Sequence, residues 1–313
     1  MRLLSILLSF SLLLPLTFSC QRKNQVMNER KPVTEELSGE VLHFDGVQVP
    51  SPVLLSSYGE LLLVMEAGFS AGLRAIDTAR DYGNEPVVGD VLSEALKRTG
   101  LRREDVFVTT KIGNSQQRQG DIEEEINISL RNLKTDYVDL WLMHWPYPGC
   151  FEQTWDKMMK VYQEGKVRAI GVANYDVRHF EQLLAGNPAV VPMVNQMEYH
   201  PLRTARHLKE YMDDNGIVTQ AYAPLCRLVP PLKESPILNE LAHKYRKSIG
   251  QIILRWHVQQ GNVMPVFKSY NPKRFVENVD VLDFELTEDE MNSIYSLNQN
   301  YKYHIESINC PGY

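Results

Sequence analysis

The sequence predicts an α/β protein, a single (β/α)8 TIM barrel with an N-terminal β-hairpin and extra C-terminal helices. Three observations support this fold. Short apolar runs alternate with helical stretches along the chain. These runs lack polar alternation, as expected of parallel strands that are buried on both faces. The length of 313 residues suits one barrel, and repeated strand–helix units pair in parallel through right-handed crossovers.

The chain begins with an apolar run, Leu3 to Phe18, which is too short for a comfortable membrane span and fits a signal peptide over residues 1–19. Cys20 follows this run after a small residue, which resembles a bacterial lipoprotein signal with a lipid anchor at Cys20. A plain signal peptide and an uncleaved anchor are the alternatives. We therefore expect membrane association through the N-terminus, as a lipoprotein on the periplasmic side or, because positive charge follows the run, through an anchor with a cytoplasmic-facing barrel.

Residues 20–38 are polar and are predicted to form a tether, and residues 39–313 are predicted to form the barrel domain. Val41 to Phe44 and Val47 to Val49 flank Asp45-Gly46, a pair that is typical of a two-residue hairpin turn. A β-hairpin is therefore expected before the barrel.

Eight apolar runs are predicted to be the barrel strands. They are Val53 to Leu55, Leu73 to Ile76, Val106 to Thr109, Val138 to Met143, Val167 to Val172, Met193 to Gln196, Ile217 to Ala221 and Val263 to Phe267. The predicted helices are Leu61 to Phe69, Val87 to Arg98, Ile122 to Leu133, Thr154 to Glu164, Val177 to Leu184, Ala205 to Asn215, Ile237 to Tyr245 and Ile249 to Gln259. Asn271-Pro272 and the capping box from Thr287 to Glu290 predict two more helices at the C-terminal end.

Composition excludes several classes of function. The chain is 43% apolar, enough for a large core, and its net charge of -6 offers no basic surface for nucleic acid. None of the four cysteines has the spacing of a metal site, so no metal is predicted. Cys150, Cys226 and Cys310 are expected to be free thiols, with a bridge from Cys310 to either of the other two left open.

Four polar side chains end or follow consecutive predicted strands. Asp77 and Tyr82 follow the second strand, Lys111 ends the third and His144 ends the fourth. The carboxyl ends of barrel strands share one mouth, where active sites form, so we expect these side chains to meet. Any one of them could be a solvated residue at a chain exit, but four on consecutive strands indicate a site.

These four groups suit proton donation to a carbonyl oxygen. A phenol is too weak an acid at neutral pH, and a nearby ammonium stabilises the phenolate and lowers the pKa of the phenol. A carboxylate keeps the lysine charged, and an imidazole can orient the substrate oxygen through a hydrogen bond. Protonation alone does not reduce a carbonyl, so the set predicts an external reductant.

Seven groups of residues form a pattern in order and in barrel position. They are Asp77-Thr-Ala-Arg-Asp-Tyr82-Gly-Asn-Glu85, Thr110-Lys111, Leu142-Met-His144-Trp-Pro146, Gly165-Lys-Val-Arg-Ala-Ile-Gly-Val-Ala-Asn174, Asn195-Gln196, Tyr222-Ala-Pro-Leu225, and Lys268-Ser269 with Arg274, Glu277 and Asn278. Together they resemble the aldo-keto reductase family, from about Val41 to Leu297.

The resemblance implies a role for each matching residue. Tyr82 would be the general acid, Lys111 and Asp77 its tuning pair and His144 the orienting group. It also implies NADPH (NADP+) as the cofactor. The implied cofactor contacts are Asn174 and Gln196 at the nicotinamide carboxamide, Tyr222 stacked on the nicotinamide, Lys268, Ser269 and Arg274 around the 2'-phosphate, and Glu277 and Asn278 at the adenine. Two cations and a hydroxyl near a helix start also form an anion site on physical grounds.

Three positions depart from the pattern of the family. Ala173 stands where the family usually has serine, which removes one hydrogen bond to the carboxamide. Ser56-Ser57-Tyr58 replaces the usual Gly-Thr-aromatic sequence after the first strand. Phe267 replaces the usual proline before Lys268. None of these departures removes one of the four catalytic candidates.

The leading hypothesis is an NADPH-dependent reduction of an aldehyde or ketone to an alcohol by direct hydride transfer, in a monomer that acts on a small carbonyl substrate. Trp145 and Tyr58 are candidate walls of the substrate pocket, with simple packing as the alternative. One rival is a non-enzymatic nucleotide-binding redox sensor or scaffold subunit on the same barrel. Another is a binding lipoprotein displayed on the surface. The intact catalytic set argues against a protein that only binds.

Overall fold

The structure is a computed structural model that describes residues 46–48, 58–269 and 271–304, with the backbone alone described at 46–48 and at Gln119. These residues all lie in one compact unit, Pro32–Tyr313. The predicted leader, the tether, the first arm of the hairpin and the predicted strand Val53 to Leu55 lie outside the described residues.

Eight strands close into a parallel barrel in which each strand pairs with the next and β8 returns to β1. The strands are β1 Gly46–Gln48, β2 Ala75–Asp77, β3 Phe107–Ile112, β4 Val138–Met143, β5 Val167–Ala173, β6 Val194–Glu198, β7 Val218–Tyr222 and β8 Val263–Phe267. The predicted (β/α)8 barrel is therefore confirmed. Because all strands point the same way, their carboxyl ends form one mouth.

The first barrel strand differs from the prediction. Val47 of β1 pairs in parallel with Ile76 of β2 and with Phe267 of β8, so β1 takes the place that was predicted for Val53 to Leu55. Val47 and Gln48 of the predicted second hairpin arm thus lie in a parallel barrel strand, and the other residues of the predicted hairpin arms lie outside the described residues. Short apolar runs lie close together here, and periodicity alone does not show which of them enters a sheet.

Twelve helices occur in the described part of the chain. They are α1 Tyr58–Ser70, α2 Glu85–Thr99, α3 Asn114–Gln119, α4 Ile122–Leu133, α5 Phe151–Glu164, α6 Val177–Ala185, α7 Arg206–Asp214, α8 Pro230–Lys233, α9 Pro236–Tyr245, α10 Ile249–Gln259, α11 Pro272–Val279 and α12 Glu288–Tyr295. The predicted caps are present: the Asn271 side chain accepts from the backbone N–H of Lys273, and Thr287 forms a capping box with Glu290. The helix α3 was not predicted because its sequence, Asn-Ser-Gln-Gln-Arg-Gln, has no apolar face.

The core has an outer and an inner part. The outer part lies between strands and helices, and Trp141, Trp155 and Trp256 are fully buried in it. The inner part fills the barrel, because alternate residues of a strand face opposite sides. Its members are Leu140, Leu142, Ala169, Ala173, Val194, Val218 and Met264. Cys150 and Cys226 are free thiols, and Cys310 lies outside the described residues.

A buried histidine behind the barrel predicts how stability depends on pH. His257 of α10 is fully buried and donates from Nε2 to the carbonyl oxygen of Pro224 at 3.2 Å. Burial lowers its pKa from 6.5 to about 3. Between pH 6.5 and pH 3, His257 is therefore protonated in the unfolded chain but neutral in the folded one. Stability is therefore expected to be complete above pH 6.5 and to fall towards pH 3, by about 1.4 kcal/mol per pH unit.

Urea unfolding of His257→Gln at several pH values tests this expectation. The variant keeps an N–H donor for Pro224 and should lose stability less steeply between pH 6.5 and pH 4.5. His243→Gln, at an exposed position of α9, is the matched control and should follow the parent chain. An equally steep profile for His257→Gln would contradict the prediction.

Candidate active site

An ion pair inside the barrel lies at the centre of the site. Asp77 is the last residue of β2, and Lys111 lies in the neighbouring strand β3. Nζ of Lys111 is 2.6 Å from Oδ1 of Asp77, and the two side chains are 0% and 1% exposed. The ammonium also donates to the backbone oxygen of Thr78 at 3.0 Å. Charges buried this deeply are stable only when they are paired and hydrogen-bonded.

Tyr82 lies beside this pair on a short 3-10 turn, Arg80–Tyr82, that follows β2. Gly83 ends the turn at φ 64°, a left-handed conformation that glycine adopts without strain. The hydroxyl oxygen of Tyr82 is 3.5 Å from Nζ of Lys111, and Nζ is 5.0 Å from the centre of the ring. The phenol is half-buried, so it is both close to the ammonium and accessible at the mouth.

The charge on Lys111 persists at neutral pH. Burial by itself would lower the pKa of the ammonium, but the charge of Asp77 and the oxygen of Tyr82 outweigh burial and raise it. A lasting positive charge beside a phenol stabilises the phenolate. The fold therefore brings together the carboxylate, the ammonium and the phenol that the sequence predicted would meet.

His144 follows β4 and meets Tyr82 edge to face, with ring centroids 5.6 Å apart. Burial lowers the pKa of this imidazole; the nearby Lys111 charge lowers it further, and Asp81 opposes both. The ring is therefore neutral at pH 7, with one nitrogen as donor and the other as acceptor. A neutral imidazole next to the phenol can hydrogen-bond an uncharged substrate oxygen without competing for its proton.

Two amides connect these groups to the strands opposite. Gln196 of β6 donates from Nε2 to Oδ2 of Asp77 and to Oε1 of Gln220, both at 2.7 Å. Asn174, directly after β5, donates from Nδ2 to the backbone oxygen of His144 at 2.9 Å. Asn174 has φ 63°, which asparagine tolerates better than most residues.

Tyr222 ends β7 and donates its hydroxyl to Oδ1 of Asn174 at 2.9 Å. Its ring meets that of His304 at 5.7 Å, so the segment after α12 returns to the mouth. Glu198 of β6 holds this segment by accepting from the backbone N–H groups of Tyr303 at 2.5 Å and of His304 at 2.9 Å. Burial raises the pKa of Glu198, but bonds from His200 and these N–H groups lower it overall, so the contact is made by a carboxylate.

The residues predicted to hold a phosphate lie after β8 and on α11. Lys268 and Arg274 are exposed, and Oγ of Ser269 accepts from the backbone N–H of Asn271 at 3.1 Å. Phe267 is buried and packs against Phe275, with ring centroids 5.8 Å apart. The departure from proline at position 267 thus supplies a contact that fastens α11 to the end of β8.

The remaining predicted residues have different environments. Glu277 is exposed and Asn278 is buried, both on α11. Trp145 is 6% exposed and adjoins His144, with ring centroids 6.3 Å apart, which places it at the site. Tyr58 begins α1 and is 45% exposed, and no contact within the described residues joins it to the catalytic four. Ala173 packs in the inner core of the barrel.

Sequence reasoning missed Gln220 and Asp81. Gln220 lies in the middle of an apolar strand. An amide side chain between buried residues is a pattern that could have identified it. Asp81 lies next to Tyr82 in the segment that carries the family resemblance, but its sequence position does not show which way its side chain points. In the structure, its Oδ2 lies 3.4 Å from Nδ1 of His144.

The barrel therefore brings a carboxylate, an ammonium, a phenol and an imidazole together at one mouth. The family model described as the aldo/keto reductase family matches residues 56–227 and 228–299. The chain belongs to the aldo-keto reductase family, and it is an oxidoreductase.

Relatives and solved structures agree with this assignment. The chain is 39% identical to glyoxal reductase of Bacillus subtilis, covering 75% of this chain and 83% of that enzyme. It is 36% identical to methylglyoxal reductase DkgA of Escherichia coli strain K12, covering 78% and 86%. A crystal structure of an aldo-keto reductase of Bombyx mori in complex with NADP superposes with a TM-score of 0.78 at 32% identity, covering 85% of this chain and 92% of the other.

The predicted localisation is wrong. The leader suggested a membrane-associated protein or a periplasmic lipoprotein. The relatives to which the chain is similar are named as reductases and not as membrane proteins or lipoproteins. Over the residues that the structure describes, there is no helix of the length and apolarity needed to cross a membrane.

Proposed function

We propose that this protein reduces the carbonyl group of a small aldehyde or ketone with NADPH, and that Tyr82 is the general acid. The observation that carries the proposal is the buried Lys111 ammonium, which lies between the Asp77 carboxylate and the Tyr82 hydroxyl at 2.6 Å and 3.5 Å. A protein that only bound a nucleotide would not need this arrangement, because burying an ion pair seldom adds stability.

The site residues divide the reaction between them. NADPH, when bound, supplies the hydride. When negative charge grows on the substrate oxygen, the Tyr82 O–H bond breaks and its proton passes to that oxygen. The Lys111 ammonium stabilises the phenolate that remains, and Asp77 keeps Lys111 in place. His144 holds the substrate oxygen near Tyr82 from the other side.

The residues present fit this cofactor. Asn174 and Gln196 place two amides beside the catalytic groups, where they can bind a carboxamide. Tyr222 offers an aromatic ring at the same mouth, and Lys268 and Arg274 offer exposed cations for a phosphate. The prediction of NADPH agrees with the NADP bound in the Bombyx mori relative. In place of a serine hydroxyl, Ala173 presents a methyl group, so we expect weaker cofactor binding than with serine there.

The relatives suggest a substrate class. Enzymes named for glyoxal and methylglyoxal act on small dicarbonyl compounds, and Trp145 beside His144 supports a compact apolar wall. No observation favours the rival hypothesis of a non-enzymatic redox sensor or scaffold. We also propose that residues 39–313 form the catalytic domain and that the enzyme is a monomer. With ligands bound, Tyr58 would contact the substrate, and Glu277 and Asn278 would contact the adenine.

Oxidation of NADPH in the presence of glyoxal, methylglyoxal, simple ketones and keto-sugars tests the proposed function. We expect turnover with at least one of the dicarbonyl compounds, together with a change in NADPH fluorescence on binding. Cofactor binding without turnover of any carbonyl would favour the redox sensor. No response at millimolar NADPH would overturn the cofactor assignment, and light scattering checks the monomer.

The phosphate contact predicts a difference between the two nicotinamide cofactors. Lys268→Ala removes one cation proposed to contact the 2'-phosphate, which NADH lacks. We expect the Kd for NADPH to rise by about 10- to 100-fold, the range for losing a charge-assisted hydrogen bond, while the Kd for NADH stays within about twofold. Fluorescence titration measures both constants. Lys273→Ala, at an exposed neighbouring position on α11, is the control, and an equal loss for both cofactors would contradict the assignment.

A further inference from the structure

One carboxylate at the mouth is not used by the proposed mechanism. Asp81 lies between Arg80 and Tyr82 on the 3-10 turn after β2, and its side chain is 36% exposed. Its Oδ2 lies 3.4 Å from Nδ1 of His144, with a geometry that forms no hydrogen bond to that nitrogen. The negative charge therefore lies beside the catalytic imidazole and is partly open to solvent.

The position of this carboxylate is built into the backbone around it. Gly113 follows β3 and precedes α3, and a Cβ atom added there would lie 1.8 Å from Oδ1 of Asp81 and 2.3 Å from its Cγ. The carboxylate thus fills the space that any other residue at position 113 would occupy. Since φ at Gly113 is -83°, the backbone itself does not require glycine, and the absence of a side chain is what matters.

No cation neutralises Asp81 among the described residues. The neighbouring Arg80 turns away and pairs with Glu125 at 3.1 Å. Lys111 is paired with Asp77 at 2.6 Å. Arg118 of α3 lies over the ring of Tyr147, 5.3 Å from its centre. The charged groups that face His144 are therefore the carboxylates of Asp77 and Asp81 and the ammonium of Lys111. Lys111 balances the charge of Asp77, so the negative charge of Asp81 is left unbalanced.

We propose that Asp81 makes the enzyme select uncharged carbonyl substrates and reject those that carry a carboxylate near the carbonyl. With Nδ1 of His144 facing Asp81, Nε2 is left for the substrate, so the carbonyl oxygen lies roughly 8 Å or less from the Asp81 charge. A carboxylate two carbons from that carbonyl lies roughly 10 Å from Asp81, and at that distance two like charges near a protein surface repel enough to change a rate constant about tenfold. This proposal rests on the proposed carbonyl reduction and specifies the class of substrate that the same site accepts.

A pair of substrates that differ in charge but share one aldehyde tests the proposal. These are 4-oxobutanoate and its methyl ester, compared by kcat/KM with NADPH. We expect the parent enzyme to prefer the ester, and Asp81→Asn, which keeps the shape of the side chain, to reduce the preference about tenfold by raising kcat/KM for the acid. Gly113→Ala, which displaces the carboxylate, should shift the preference in the same direction. Raising the salt concentration should weaken the preference of the parent enzyme only.

Asp136→Asn is the matched control, because Asp136 is exposed and lies before β4, at the opposite end of the barrel. It changes the net charge equally and should leave the preference unchanged. A parallel change for acid and ester in Asp81→Asn would mean that Asp81 acts only through His144, and this would overturn the selection. An unchanged preference in both Asp81→Asn and Gly113→Ala would overturn it as well. No turnover of methylglyoxal or of either substrate would instead overturn the proposed function and the selection with it.

Discussion

Tyr82→Phe is expected to lower kcat for carbonyl reduction by about 10³-fold or more while NADPH still binds. The change removes only the hydroxyl, which lies 3.5 Å from the Lys111 ammonium, so the developing charge on the substrate oxygen would have no proton donor. General acids contribute about 10²- to 10⁴-fold to a rate, and this range sets the size of the expected loss. Stopped-flow measurement of a single turnover, alongside a fluorescence titration of NADPH, separates chemistry from binding.

The control for this prediction is Tyr137→Phe. Tyr137 lies just before β4, at the end of the barrel away from the mouth, where its ring packs under Arg103 and Arg168 at 4.2 Å and 4.4 Å. Loss of that hydroxyl should leave kcat within about twofold of the parent value, as is usual for a change distant from the site. Turnover by Tyr82→Phe at the parent rate would remove Tyr82 from its role as the acid, and a loss of NADPH binding would point to a structural role instead.

The regular part of the fold could be predicted from the sequence because burial requires apolar runs in the strands and an apolar face on each helix. The strands Val138–Met143 and Val263–Phe267 and the helix Ile249–Gln259 were predicted with the bounds that the structure has. Elements without such a pattern were not recognised. The helix α3 is polar throughout, and β1 is one of several short apolar runs that lie close together in the sequence.

Some residues of the candidate site could likewise be predicted from the sequence, and others could not. Asp77, Lys111 and His144 were predictable, because each lies at or near the carboxyl end of a strand and the barrel brings those ends together. The role of Asp81 was not, because it depends on a side-chain direction set by the turn Arg80–Tyr82 and on the missing side chain of Gly113. Contacts that depend on empty space leave no mark on hydrophobic periodicity.

Lys111→Met is expected to cost both activity and stability, and a second substitution should restore only one of them. The methionine fills a similar volume but leaves the Asp77 carboxylate 1% exposed. Among the described residues, Gln196 is then its remaining side-chain donor. Breaking one half of a buried ion pair costs about 3–5 kcal/mol. Carbonyl reduction should fall by about 10²-fold or more, because the phenolate loses its stabilising charge.

The double variant Lys111→Met/Asp77→Asn removes both charges, and urea unfolding should show most of the lost stability regained. Its reductase activity should stay as low as that of the single variant, since neither residue can then support Tyr82. Lys134→Met, which removes an exposed lysine paired with Asp90 at the surface, is the control and should change stability by less than about 1 kcal/mol. Recovery of activity in the double variant would show that the pair serves stability alone. Tyr82 would then owe its acidity to some other group.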